Sequence, residues 1–285
     1  MQPSRRAFLL AGRAPASAWG RFCQRLARSV RGRFEDETPD ARACGRARLM
    51  PARMADVHHA MALCTEADVR FVLDGIAPAP DAPCLIIDPS ALSALDRESD
   101  GSVYAEAGVH VGIIRDMLPG ACAGGQADWT LGRWLACTSH FPPACFGGSG
   151  LDSIDVLLAD GTMETFGPFG VDTRRAALSL KTSRLVSDLF TWVSQPAVAQ
   201  WRALPAWPAT YRIDALLADT PNLAHVLLGS GARLAWPQRL RLVAPTPPAP
   251  PATPPAAGFD AAILNQAADL DRRIRQRFDP DRLFA

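Results

Sequence analysis

The sequence is poor in lysine, in tyrosine and in excess charge of either sign. Its 285 residues include two tyrosines and a single lysine, Lys181, so arginine supplies nearly all of the positive charge. The formal net charge is only +1 at pH 7. A nearly neutral chain lacks the basic excess with which proteins hold a phosphate backbone, so we expect no nucleic-acid partner.

Long hydrophobic runs and paired cysteines are also missing. No apolar run approaches the roughly 18 residues of a membrane-spanning helix. Seven cysteines occur, an odd number, and none of them forms a CxxC pair. A chain of this size rarely depends on a disulfide framework, so we expect reduced thiols and a cytoplasmic location.

One group of cysteines raises the question of a metal site. The group comprises Cys122, Cys137, His140 and Cys145. Three thiols and an imidazole can bind zinc or an iron–sulfur centre, but this spacing fits no closed ligand knuckle. We therefore interpret the cysteines as small buried residues and predict no metal.

Residues 1–48 form a basic N-terminal segment that allows three interpretations. Residues 4–9, SRRAFL, resemble the start of a twin-arginine export signal, which would imply the periplasm, although Arg13 interrupts the apolar run. Apolar residues then recur at helical spacing between arginines: Trp19, Phe22, Leu26 and Val30. This basic amphipathic helix could contact a membrane surface or a partner through residues 18–33, or it could pack on its own domain.

After a polar linker at 35–46, residues 49–195 show short mixed elements that predict an α+β domain. Helical patterns occur at 55–65, where Asp56 can cap the helix, at 109–118 and at 178–193. Strand patterns occur at 69–73, 84–88, 103–107, 151–158 and 162–166.

The remainder of the chain divides into three parts. An irregular region at 196–244 carries strand patterns at 224–228 and 239–243, the first of which holds His225 as a core histidine. A proline-rich spacer follows at 245–258. Residues 259–285 form a terminal segment. A helix is predicted within 261–284 and stops at Asp279–Pro280; its inward face is Leu264, Ala268, Leu270, Ile274 and Phe278.

A glycine-rich stretch at 128–161 is the most informative part of the sequence. Thr130, Leu131 and Gly132 open it, and Gly147, Gly148, Ser149 and Gly150 precede the strand at 151–158. Glycines beside a strand allow a ligand to approach the backbone, and nearby hydroxyls can donate to phosphate oxygens. The same pattern is typical of plain turns, so both interpretations stay open on the residues alone.

The order and spacing of these segments resemble the FAD-linked oxidases that share the PCMH-type flavin-binding fold of p-cresol methylhydroxylase and vanillyl-alcohol oxidase. The strongest likeness is to the FAD-binding subunit of glycolate oxidase. Five segments carry it: 51–64, LIIDPSALSAL at 85–95, VYAEAGVHVGIIRDML at 103–118, 130–161, and RRIRQRFDPDRL at 272–283.

The resemblance implies two α+β subdomains with FAD between them, and a reduced C-terminal region in place of a full substrate cap. It also implies hydride transfer from a small hydroxylated substrate to FAD, and then electron transfer to a second acceptor or a protein partner. The catalytic residues are not identified. The implied cofactor-binding residues are Asp74, Gly75, Gly108, Thr130, Leu131, Gly132, Arg133, Thr138, Ser139, Gly147, Gly148 and Ser149.

Two departures from the family pattern concern the pyrophosphate loops. The first loop keeps one glycine, Gly75, and places the negative charge of Asp74 beside it. In the second loop Arg133 stands where the family has a glycine. An arginine there could pair with a phosphate or could block the cofactor, in which case the chain would be a fold-retaining accessory protein that acts in docking or assembly.

Overall fold

The computed structural model describes residues 17–39, 43–139, 141–169, 179–245 and 258–284. The twin-arginine-like start, His140 and nearly all of the proline-rich spacer lie outside the described residues. No helix in the described part of the chain is long and apolar enough to cross a membrane.

The first sheet contains four strands and carries the N-terminal half of the fold. The strands are β1 (Gly32–Asp36), β2 (Arg46–Pro51), β3 (Arg70–Leu73) and β4 (Cys84–Ile87). Their order is β1-β2-β4-β3, with β1 antiparallel to β2 and the other neighbours parallel. Strand β4 is buried on both faces, which explains its continuous apolar run.

The second sheet contains five antiparallel strands. They are β5 (Leu95–Arg97), β6 (Val103–Glu106), β7 (Leu151–Leu157), β8 (Met163–Phe166) and β9 (Trp236–Leu242). The order β5-β6-β9-β7-β8 places β9 between strands that lie far earlier in the chain. The region at 196–244 is therefore built into the second subdomain and is not an appendage.

Seven helices flank the sheets in the described residues. They are α1 (Ala18–Ser29), α2 (Met54–Ala67), α3 (Val111–Met117), α4 (Leu131–Cys137), α5 (Leu180–Val193), α6 (Pro196–Ala199) and α7 (Ala261–Phe278). Two sheets with helices packed on each confirm the predicted α+β class and agree with the two subdomains that the resemblance implies.

Helix α1 is the basic amphipathic helix of the N-terminal segment. Ser17 caps it by accepting a hydrogen bond from the Gly20 N–H at 3.0 Å. Phe22, Cys23 and Leu26 are buried in the core of the first subdomain, where α1 lies against α2. The interpretation as a surface helix packed on its own domain is confirmed.

The chain's last residues connect the two subdomains. Helix α7 buries Leu270 and Ile274 in the core of the second subdomain, whereas Phe284 is buried in the core of the first. The Phe71 N–H in β3 donates to the Leu283 carbonyl at 2.8 Å. The tail therefore covers the outer edge of β3, which would otherwise expose unpaired backbone groups.

Four sequence-based expectations about local structure are wrong. The linker at 35–46 contains strand ends, because β1 and β2 form a hairpin around it. Asp56 does not cap α2; it is buried in the first turn and accepts from the Arg31 N–H at 3.0 Å. The segment 224–228 is a 3₁₀ turn, Leu223–Leu227, because the Asn222 side chain accepts the Ala224 N–H at 2.9 Å. His225 is buried there, as expected.

The fourth correction concerns side chains that we expected to be buried. Helix α7 ends at Phe278, in agreement with the predicted stop at Asp279–Pro280, but its inward face uses Ala267, while Leu264 and Ala268 are exposed. Among the cysteines, Cys122 is buried, but Cys137 and Cys145 are exposed.

Candidate anion-binding site at the junction of the two sheets

Helix α4, from the glycine-rich stretch, lies where the two cores meet. Leu131 and Trp134 belong to the core of the second subdomain, and Ala136 belongs to the core of the first. Thr130 fixes the start of the helix, because its Oγ1 accepts the Arg133 N–H at 3.3 Å. The turn that carries Arg133 is therefore fixed by the Thr130 cap and by packing against both cores.

The Arg133 side chain lies over Gly75, directly after strand β3. Gly75 has a left-handed φ of +84°, and a Cβ there would lie 2.9 Å from both Cδ and Nε of Arg133. The guanidinium stacks on Trp129, with 4.8 Å between Cζ and the ring centroid, and it also lies beside the Cys137 thiol. A glycine in the first loop and an arginine in the second thus fit against each other.

Arg133 carries an unsatisfied donor. Its Nε is buried and has no hydrogen-bond partner among the described residues. Leaving a buried donor of a charged group unpaired is unfavourable, and charge-assisted bonds to phosphate or carboxylate are the usual partners of arginine. The position is therefore a candidate site for an anion.

The negative charge of Asp74 is compensated within the protein. Its carboxylate lies 2.5 Å from Nη1 of Arg48, whose Nε lies 2.7 Å from Glu37. The hydrogen bonds that Arg48 donates to Asp74 and Glu37 raise the pKa of Arg48 above its ordinary value. The expected repulsion between Asp74 and a nearby anion is consequently reduced by Arg48.

The first-turn N–H groups of α4 are engaged inside the protein. The Leu131 N–H donates to the Val109 carbonyl and the Gly132 N–H to the Ala107 carbonyl, each at 2.8 Å. Gly132 is buried, and a Cβ there would reach ordinary contact with Ala107 at 3.4 Å. The donors that the resemblance assigns to a pyrophosphate here are occupied, whereas Nε of Arg133 has no acceptor among the described residues.

Gly108 has a packing role in the structure. Its N–H donates to the Leu92 carbonyl at 2.9 Å. A Cβ at this position would lie 1.9 Å from the Pro89 carbonyl oxygen, so no other residue fits without a backbone shift. The group that lies close to Gly108 and requires a glycine there is thus the protein's own backbone at Pro89.

Thr138 and Ser139 follow the end of α4 and meet a second glycine-rich turn. The N–H groups of Gly229 and Gly231 donate to the Leu135 and Ala136 carbonyls at 2.8 and 2.9 Å, which satisfies the end of the helix. Thr138 is buried and its Oγ1 has no partner among the described residues. Ser139 is exposed.

The turn Gly147–Ser149 stands before β7 and uses its polar groups locally. The Ser149 Oγ accepts the Leu151 N–H at 3.1 Å, and the Ser149 carbonyl accepts the Cys122 N–H at 3.0 Å. The structure thus brings Arg133 against both Gly75 and Thr130, whereas the contacts described for this turn are with other residues.

A buried ion pair that the sequence did not reveal orders the segment before this turn. Arg212 donates to the Phe141 and Pro142 carbonyls at 2.8 and 3.1 Å and pairs with Asp214, which is also buried. Its guanidinium lies 4.5 Å from the centroid of the Phe146 ring. Arg212 and Asp214 are separated by more than sixty residues from the segment that they hold, so sequence spacing gives no sign of the contact.

His225 stacks on the same phenylalanine ring, with 5.1 Å between the ring centroids. Its Nε2 lies 2.8 Å from the Leu151 carbonyl, so Nε2 must carry the proton and donate. Burial lowers the pKa of His225 to about 4. The ring is therefore neutral near pH 7 and is part of the core.

The two sheets and the helix between them define an α+β protein with an anion-binding candidate at the subdomain junction. No protein-family model matches the sequence, and no curated protein matches it.

Partial similarity to solved structures is found with several larger proteins. An alkyldihydroxyacetonephosphate synthase is 12% identical with a TM-score of 0.42, over 70% of this chain and 32% of that one. A BBE-like 1 variant of Physcomitrella patens is 10% identical with a TM-score of 0.44, over 77% and 43%. The glucooligosaccharide oxidase of Acremonium strictum, described with a 6-S-cysteinyl, 8α-N1-histidyl FAD, is 12% identical with a TM-score of 0.45, over 79% and 42%. The matched part spans less than half the length of each of these proteins.

Proposed function

We propose that the chain is an FAD-binding flavoprotein in which Arg133 holds the pyrophosphate of the cofactor. The observation that carries the proposal is the buried, unpartnered Nε of Arg133, packed over Gly75 at the junction of the two subdomains. The sequence resemblance to PCMH-type oxidases implies FAD between two such subdomains, and this is where the unsatisfied positive charge lies.

The residues at the junction suit a phosphate held by a side chain. A guanidinium presents several donors in one plane and can bind two phosphate oxygens at once. Stacking on Trp129 restricts the orientation of the Arg133 side chain. Gly75 has no side chain to compete for the space, and Arg48 offsets the charge of Asp74. This chain would therefore replace the family's glycine cradle with a charged clamp.

FAD would supply a hydride acceptor for the oxidation of a small hydroxylated substrate. The chain's own contribution would be to bind the cofactor and to orient it between the subdomains. Similarity of motif order favours the role of the flavin subunit in a glycolate-oxidase-like enzyme, with a protein or small-molecule electron acceptor. We assign no catalytic residue.

A second candidate function follows from a different observation. Each of the first-turn N–H groups of α4, from Leu131 to Arg133, already has an acceptor within the protein. A chain whose phosphate-loop N–H groups are already hydrogen-bonded within the protein could retain the fold without the cofactor and serve in docking or assembly.

The absorbance spectrum of the purified full chain, before and after incubation with FAD, separates the two functions. We expect flavin bands that stay with the protein after gel filtration. Because the clamp recognises the pyrophosphate, ADP should displace FAD, whereas riboflavin, which has no phosphate, should not. A folded, colourless protein that takes up no FAD would support the accessory function instead.

A further inference from the structure

A cleft is lined in part by the loop that follows β3. It has a volume of about 940 Å³ and is enclosed by residues 77–82, helix α7 and parts of the segment 210–233. Five arginines line this arginine cleft: Arg70, Arg233, Arg272, Arg275 and Arg282. They come from a strand, a loop, a helix and the tail, so the charge is concentrated there by the fold and not by a run in the sequence.

Acidic residues in the arginine cleft compensate this charge only in part. Asp81, Asp271 and Asp279 also line it. The Asp271 carboxylate accepts the N–H groups of Thr210 and Tyr211 at 2.9 and 3.1 Å. The Asp279 carboxylate accepts those of Leu283 and Phe284 at 2.8 and 2.9 Å. Two of the three carboxylates therefore accept backbone N–H groups. Five arginines and three aspartates leave the lining with an excess of positive charge.

Arg275 and Arg282 each have an energetically unfavourable feature in the folded protein. Nη2 of Arg275 donates to the Phe284 carbonyl at 2.7 Å, but its Nε is buried without a partner among the described residues. Arg282 adopts a left-handed φ of +55°, which is unfavourable for a residue with a side chain and is typical of functional positions.

We propose that the arginine cleft binds a small polyanion, a molecule that carries two or more carboxylate or phosphate groups. Its volume lies within the range of small-molecule sites. Arginines that line the cleft from four elements suit several anionic groups on one ligand, because guanidiniums form charge-assisted hydrogen bonds with carboxylates and phosphates. This binding site is separate from the Arg133 site and does not depend on the proposed flavin function.

The loop at 74–82 borders both sites, since Gly75 contacts Arg133 and residues 77–82 line the arginine cleft. A phosphate-bearing ligand in the cleft could therefore be a free metabolite or the phosphates of FAD itself. The test must distinguish these two sources.

Calorimetric titration of the full chain with inorganic pyrophosphate, and separately with citrate, tests the proposal. We expect saturable binding of one or both probes that weakens as salt is added. Arg272→Gln should weaken it roughly tenfold, because one charge-assisted contact is lost. Arg272 is exposed, and among the described residues its ion pair is with Asp269 on its own helix, at 3.0 Å, so this variant should fold. Arg275→Gln is the second variant and should also weaken binding.

Two control variants show whether a loss of binding is specific to the arginine cleft. Arg28→Gln removes the same charge from the exposed face of α1 and should leave binding unchanged. Arg133→Ala should leave citrate binding unchanged if the two sites are separate; citrate is the probe for this variant, because pyrophosphate can also bind at Arg133. Absence of FAD binding to the natural chain, with citrate binding intact, would contradict the flavin proposal alone.

Several results would overturn the polyanion site. They are the absence of saturable binding with both probes, an equal loss in Arg28→Gln, and a loss in Arg133→Ala while Arg272→Gln binds normally. Loss in both Arg133→Ala and Arg272→Gln would assign the cleft to the phosphates of one continuous FAD site, and would likewise overturn a separate ligand.

Discussion

Arg133 occupies the space that the missing side chain of Gly75 leaves open, with its Cδ and Nε 2.9 Å from where a Cβ on Gly75 would stand. Gly75 is the glycine that the first loop keeps, whereas Arg133 is a departure from the glycine-rich loops of the flavin family that the sequence resembles. In the structure the two residues fit each other, which favours a rebuilt phosphate site over a loop that has lost its constraints.

Gly75→Ala tests this relationship. The new methyl group would push Arg133 away, so we expect FAD affinity to change by roughly tenfold. The left-handed backbone should also cost about 1 kcal/mol of the free energy of unfolding. Gly161→Ala is the matched control, because Gly161 has a φ of +82° and no atom within 4 Å of its Cβ position. Equal effects of both variants on FAD affinity in a fluorescence titration would rule out a specific role for the contact.

Gly132 and Gly108 should respond differently to alanine. A Cβ on Gly132 makes ordinary contacts at 3.4 and 3.5 Å, and alanine favours a helix, so Gly132→Ala should be neutral or stabilise the fold by up to about 1 kcal/mol. A Cβ on Gly108 meets a carbonyl at 1.9 Å, so Gly108→Ala should cost roughly 1–3 kcal/mol. Urea denaturation measures both. If Gly132→Ala instead abolished FAD uptake without loss of stability, Gly132 would be a cofactor residue after all.

The buried pair Arg212–Asp214 should be a major determinant of stability. Arg212→Ala leaves the Asp214 charge buried without its partner and removes the donor from three carbonyls, so we expect a loss of roughly 3–5 kcal/mol in the free energy of unfolding. Arg28→Ala on the exposed face of α1 should change it by less than about 0.5 kcal/mol. Similar denaturation midpoints for the two variants would mean that the pair does not order this segment.

Stability should fall in mildly acidic solution because of His225. Its ordinary pKa is 6.5, and burial lowers the pKa in the folded protein to about 4, so protons bind more readily to the unfolded chain. The stabilisation that comes from keeping His225 neutral is complete above about pH 6.5. Between pH 6.5 and 4 the free energy of unfolding should fall by roughly 3 kcal/mol. His225→Gln keeps a donor for the Leu151 carbonyl and should flatten the profile in that window, measured by denaturation at several pH values. An unchanged profile would show that His225 does not titrate as described.

The sequence predicted the fold better than the site, and the reason is physical. Strands such as β4 and β7 have continuous or alternating apolar residues, and the sequence predicted their positions to within one or two residues. The 3₁₀ turn at Leu223–Leu227 looks like a strand because four of its five residues are apolar; the Asn222 side chain determines its shape.

The candidate site depends on contacts between distant parts of the chain. Arg48 and Asp74 are 26 residues apart, and Gly75 and Arg133 lie farther apart still, so neither pairing shows in a local pattern. The turn that holds Gly229 and Gly231 could have been noticed as a second glycine cluster. Its role in capping α4 becomes evident only when the helix end is located.

The most direct test is the dissociation constant of FAD for the natural chain, Arg133→Ala and Arg133→Lys, measured by flavin fluorescence, with Arg28→Ala as a distant control. A charge-assisted clamp predicts binding that is roughly 10- to 100-fold weaker in Arg133→Ala. Arg133→Lys should lie between, because lysine supplies the charge without the planar fork. Equal or tighter binding of FAD by Arg133→Ala would contradict the account, since it would show that Arg133 fills the place of the phosphate.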